Sequence, residues 1–251
     1  MQIQSKEQYE TLKAEAVFKR EQGNMQEALD IFSNLEDWDE THGNFKDQVD
    51  VLGHLRITYS MMSAGVEDKL SLLNAALVCV DKAMQIISSQ HLEEGVLAIT
   101  KVHKAAVLRG LSGIELNVTR KAELLAEALA LVDEALVSFP GSKAHLAWPL
   151  NQKANILLLQ GNGDAAYDVV LAGQKALFEG YVDEEAAGDQ AEIKLPIWLS
   201  GLYLTAAEIC AKENKLILAN FYVQSVLSMP DERGILKDRK REAQSLLAKL
   251  K

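Results

Sequence analysis

The side chains best suited to chemistry are five histidines, two cysteines and a knot of carboxylates around Trp38. His42, His54, His91, His103 and His145 never pair at helix-face spacing with a Glu between them, which a zinc hydrolase requires, and Cys79 and Cys210 lie too far apart in sequence to form a thiolate clip. No metal and no cofactor is therefore expected. Both cysteines sit in apolar segments, where a thiol serves as a small hydrophobe; a nucleophilic thiol needs an electropositive, partly exposed setting with a base beside it. Asp37, Asp39 and Glu40 read as a solvated acidic loop. No glycine-rich turn follows a strand to cradle phosphate. The expectation is a protein without a catalytic residue, not an enzyme.

The elements that must position these groups read as helices throughout. Apolar residues make up 48% of the chain with only 4 prolines, and β-type alternation is scarce. Within this pattern a spacing recurs. Ala16, Gly23, Ala28 and Phe32 follow one another at offsets of 7, 5 and 4, and Ala154, Gly161, Ala166 and Val170 repeat those offsets. Ala207, Asn214, Ala219 and Val223 do so again, with Asn at the one position that needs a left-handed backbone after a helix end. The physical reading is an antiparallel helix pair: an alanine where two backbones approach, a Gly or Asn stop, then a second helix. Asn24 with Glu27, and Asp164, are the expected helix starts.

These residues resemble the tetratricopeptide repeat family, whose units carry a small residue in the first helix, Gly at its end, and Ala followed by an apolar residue in the second. Ala128, Val132, Ala135 and Pro140 fit a middle unit, and Ala76, Val80 and Ala83 another. The resemblance implies an all-α, right-handed α-α superhelix of about five helix pairs at 5–40, 44–89, 92–140, 142–180 and 190–230, with a capping helix at 231–251, as a single repeat domain over 1–251. The alanines at 28, 76, 128, 166 and 219 are separated by 48, 52, 38 and 53 residues, against a family period of 34. Segments 48–63 and 68–89 lack Pro, so lengthened helices are expected there. The rest of the extra length falls in connections at 112–119 and at the acidic stretch 181–195, with a hinge at 181–190.

In this family the first helices line a concave groove that takes a peptide segment or protein surface. The implied groove residues are Lys13, Val17 and Arg20 in the first unit and His103 in the third. In the fourth they are Trp148, Asn151 and Asn155, and in the fifth Leu204 and Glu208. Asn151 and Asn155 stand one turn apart, where amides could hold an extended backbone from both sides, with Trp148 as an apolar platform. The alternative is that Asn155 bonds within the array and Trp148 fills its core. Family members that clamp the C-terminal carboxylate of chaperone tails use Lys and Asn in one repeat and cations in a later one. Here Val17 stands where Asn is needed, and Gly201 and Thr205 supply no cation, so that clamp is not expected.

Charge narrows the partner classes. The last 21 residues carry 7 basic and 4 acidic side chains, or +3, which leaves residues 1–230 with 19 basic and 32 acidic, or −13. Such a body repels nucleic acid. Lys237, Arg239, Lys240 and Arg241 read as a solvated face of the capping helix. No continuous apolar run of 18 residues marks a membrane span and no leader stands at the N-terminus, so a cytoplasmic location is expected. The resemblance implies a non-enzymatic adaptor or scaffold that binds protein. The alternative is a structural subunit or secretion-type chaperone buried in a larger assembly.

Overall fold

The computed structural model describes residues 3–187 and 191–250. Among them the fold is all-helical, with eleven α-helices and no strand, and within each of two units every helix packs against its neighbours in the chain. The contacts gather in two units, Met1–Ser138 and Phe139–Lys251.

The first unit contains α1 (Lys6–Glu21), α2 (Met25–His42), α3 (Phe45–Met62), α4 (Lys69–Gln90), α5 (Glu94–Ser112) and α6 (Val118–Val137). Successive helices pair, and α3 also touches α5. Ser5 caps α1 by accepting from the Gln8 N–H at 3.2 Å, and Gln8 turns back to accept from the Gln4 N–H at 2.8 Å. In the second unit a 3-10 turn (Lys143–Leu146) precedes α7 (Ala147–Leu159), α8 (Gly163–Ala187), α9 (Ala191–Lys212), α10 (Leu216–Leu227) and α11 (Lys237–Lys249). Here α7 touches α9, and α11 covers α9 and α10.

The recurring offsets have one physical meaning in all three places. Gly23, Gly161 and Asn214 take φ of 89°, 83° and 59°. The next residue's N–H reaches back to the helix carbonyl five residues earlier: Asn24 to Lys19 at 2.9 Å, Asn162 to Leu157 at 2.9 Å, Lys215 to Cys210 at 2.8 Å. Its own carbonyl then accepts from an alanine in the first turn of the following helix, Ala28, Ala166 or Ala219. Those three alanines, and Ala16, Ala154 and Ala207 on the facing helices, are fully buried. The small side chains permit the close approach, and the left-handed residue reverses the chain. Gly43, at φ 68°, repeats the turn between α2 and α3.

Several expectations change. Asp37, Asp39 and Glu40 lie on the last turns of α2 rather than in a loop, because Trp38 stacks on His42 with centroids 4.2 Å apart and packs on Tyr9 at 5.2 Å. The acidic stretch is helix as far as Ala187, not a hinge: α8 runs 25 residues and buries Glu184 to 2% exposure. The remaining hinge residues, 188–190, lie outside the described residues. The final helix begins at Lys237, not 231, since Gly234 at φ 70° and an Asp231 side chain accepting from the Leu236 N–H build a turn first. Lengthened helices account for the long intervals, with 18 residues in α3 and 22 in α4.

By length and composition alone, α4 and α9 could cross a membrane, with no more than two charged residues in their apolar windows; 33% of that window in α4 and 61% in α9 is buried in protein. No continuous apolar run marks them in the sequence because polar residues are scattered through both. The cysteines are free and buried, Cys79 in α4 and Cys210 in α9.

Candidate functional site

The expected groove residues divide by exposure. In the first unit Val17 is buried in the core. Lys13 lies near the surface, 3.2 Å from Glu10 and 3.3 Å from Asp50 of α3. Burial works against its charge, but the two carboxylates outweigh it and hold the ammonium above its usual range. Arg20 is 5% exposed and clamped by Glu21 at 2.7 Å, with Nη1 3.1 Å from His54 Nδ1 and its guanidinium over the Phe32 ring. His103 is buried on α5 and bonded through Nδ1 to Arg56 Nη2. Burial first, then the positive charges of Arg56, His54 and Arg20, push its pKa well below 6.5, so the ring is neutral at pH 7. Gly53 makes the space for it: a Cβ there would stand 2.9 Å from His103 Nε2.

In the second unit Asn151, Asn155 and Thr205 form one network between α7 and α9. Thr205 Oγ1 donates to Asn151 Oδ1 at 2.8 Å and accepts from Asn155 Nδ2 at 3.0 Å, while Asn155 Nδ2 also donates to the Asn151 carbonyl at 2.8 Å. These amides tie helices together. Trp148 packs edge-on against Phe139 with centroids 5.9 Å apart. Leu204 is core, and Glu208 is half-buried on α9. An apolar recess of about 610 Å³ opens between α8, α9 and the turn after α10, with Leu177, Tyr181, Leu195, Leu199 and Met229 on its wall.

Two polar constellations escaped the sequence reading. Arg56, on the apolar face of α3 between Leu52 and Tyr59, is 5% exposed; among the described residues it has no carboxylate partner, its side chain hydrogen-bonds to His103, and Nε makes no bond. Burial, then the charges of Arg20 and Arg109, push its pKa down to about 9. A lone Arg at helix-face spacing among apolar residues was the available signal. The other is Glu184, which accepts from Ser142 Oγ at 2.7 Å and lies 2.8 Å from His145 Nε2. Ser, His and Glu meet there, but the hydroxyl donates to the carboxylate rather than to the imidazole, so the serine is not activated by a base. The cluster instead fixes the 3-10 turn to α8.

Among the described residues no three His, Cys, Asp or Glu side chains gather as a metal site. Burial raises the Cys79 thiol to about 11 and raises Cys210 as well, so both stay protonated at pH 7. Of the C-terminal cations, Arg239 and Arg241 pair with Glu242 and Asp238 on their own helix, and Lys240 donates to the Met229 carbonyl at 2.7 Å. No family model matches the chain, and no curated protein matches its sequence.

Proposed function

We propose that this chain is a tetratricopeptide-type repeat protein, a non-enzymatic adaptor or scaffold that binds a peptide segment or protein surface against the first helices of its hairpins. The observation that carries the reading is the triple recurrence of one turn, with the same left-handed stop, the same hydrogen bonds and the same buried alanines. Such hairpins stack by contact between first helices, as α3 touches α5 and α7 touches α9. The formal net charge of −10 favours a partner of basic or mixed character over nucleic acid, and the proposed location is cytoplasmic. The internal bonds of Asn151 and Asn155 move the expected contact toward Lys13, Trp148 and the apolar recess.

A photo-crosslinking residue placed in turn at Lys13, Trp148 and Val137 tests this. Val137 is 88% exposed at the end of α6, a second helix. Partner adducts at Lys13 or Trp148 with none at Val137 are expected; adducts at Val137 alone would overturn the groove assignment. A second reading, a subunit or secretion-type chaperone held in a larger assembly, is favoured by the bare apolar side chains of α10, with Ile217 at 89% and Phe221 at 60% exposure. Sedimentation at micromolar concentration separates the two: a stable monomer supports the adaptor, and self-association or precipitation supports the subunit.

A further inference from the structure

We propose that the first unit holds an oxyanion site centred on Arg56, between α1, α3 and α5, which takes a phosphate or phosphomonoester group. Three arginines, Arg20, Arg56 and Arg109, come from three different helices and lie close enough for Arg20 and Arg109 to act electrostatically on Arg56. Glu21 pairs with Arg20 itself at 2.7 Å, while Asp50 lies 3.3 Å from Lys13 and Glu36 2.6 Å from Lys82. Among the described residues Arg56 has no carboxylate partner, and an uncompensated guanidinium at 5% exposure is a costly arrangement that folded proteins avoid without a reason.

The geometry of that one side chain indicates what would relieve it. Its Nε makes no hydrogen bond, and its Nη2 is occupied only by the neutral ring of His103. Nε and Nη2 form the side-on edge of a guanidinium, the edge that grips two oxygens of a phosphate in parallel. Arg56 is 5% exposed, so an anion enters by displacing His103 and then finds the two donors of Arg56 in a buried setting, with the charge of Arg109 acting from α5. This inference is independent of the interaction reading above, and either can fail alone.

Thermal unfolding of the full chain in inorganic phosphate, phenyl phosphate, sulfate and sodium chloride at matched ionic strength is the test, with Arg56→Met alongside. A saturable rise in Tm of about 3–6 °C at tenfold excess over Kd is expected for phosphate or phenyl phosphate and none for chloride. In Arg56→Met that rise disappears while Tm without anion holds or increases, because a buried charge has been removed. A response to phenyl phosphate alone identifies an esterified phosphate, and a response to both identifies the free ion. Equal rises in chloride and phosphate, or an unchanged phosphate response in Arg56→Met, would overturn the site. If the variant does not fold, the arginine Nε–H resonances of the wild-type chain decide: a saturable shift with phosphate upholds the proposal, and its absence refutes it.

Discussion

At the scale of single residues, the buried polar groups set the behaviour of the first unit. Tyr9, wholly buried, donates to Asp39 Oδ2 at 2.6 Å, joining α1 to the last turns of α2. Tyr9→Phe leaves a buried carboxylate short of a donor, and a loss of about 1–3 kcal/mol by urea denaturation is expected. Two titrations in this unit oppose each other. Burial raises Asp39 from 3.8 to about 6, against the lowering effect of the Tyr9 bond, so the folded state binds a proton the unfolded chain lacks. That contribution is complete below pH 3.8 and is lost as pH rises through about 6. His103 has the opposite sign: its folded pKa lies well below 6.5, so the unfolded chain takes the extra proton and stability falls as pH drops below 6.5. In Tm profiles from pH 4 to 8, His103→Gln should flatten the acid-side loss. Asp39→Asn should remove the opposing loss above pH 6, gaining on the wild type at pH 7 relative to pH 4. Parallel profiles for all three proteins would show that neither group titrates as described.

At the scale of elements, the hairpin turns were legible because backbone chirality limits what can stand at a left-handed stop. Gly23, Gly161 and Asn214 were identifiable for that reason, and the alanines because a close crossing admits little else. The length of α8 was not legible. Asp183, Glu184 and Glu185 argue locally for solvent, and the partners that recruit Glu184 into the protein, Ser142 and His145, are about 40 residues distant in sequence. The same contact makes Gly180 decisive, since a Cβ there would stand 2.1 Å from the Ala144 backbone nitrogen. Gly180→Ala should therefore cost about 3 kcal/mol and loosen the 3-10 turn, read by denaturation and by the fluorescence of Trp198, whose ring packs on His145. Gly163→Ala is the control. Its Cβ meets only the tip of the Glu213 side chain, which can swing aside, so a change within about 0.5 kcal/mol is expected. Equal losses in both variants would remove the turn from its structural role.

At the scale of the whole molecule, the sequence conveyed the helical class and the buried thiols, because each depends on local periodicity. It conveyed little of the polar interior. Arg56 and His103 lie 47 residues apart in sequence, and nothing along the chain indicates that α3 and α5 bring them together. The division into two units was equally hidden, since a repeat pattern runs across 138 and 139 without a Gly- or Ser-rich linker. Each unit nonetheless has its own closed set of supports. The first has the Tyr9–Asp39 bond, the Phe32 and Leu35 core and the cluster of Ala76, Val80 and Val107. The second has the Asn151–Asn155–Thr205 network, the Glu184 contacts and a terminal helix folded over α9 and α10. Where helices pack mainly on their neighbours in the chain, stability is largely a sum of local terms, so separation should preserve it. Expressed as residues 1–138 and 139–251, both fragments should be helical by circular dichroism, their spectra should sum to that of the full chain, and each should melt cooperatively. A fragment that is unfolded alone and gains helix only when the other is added would mean that the units fold as one body.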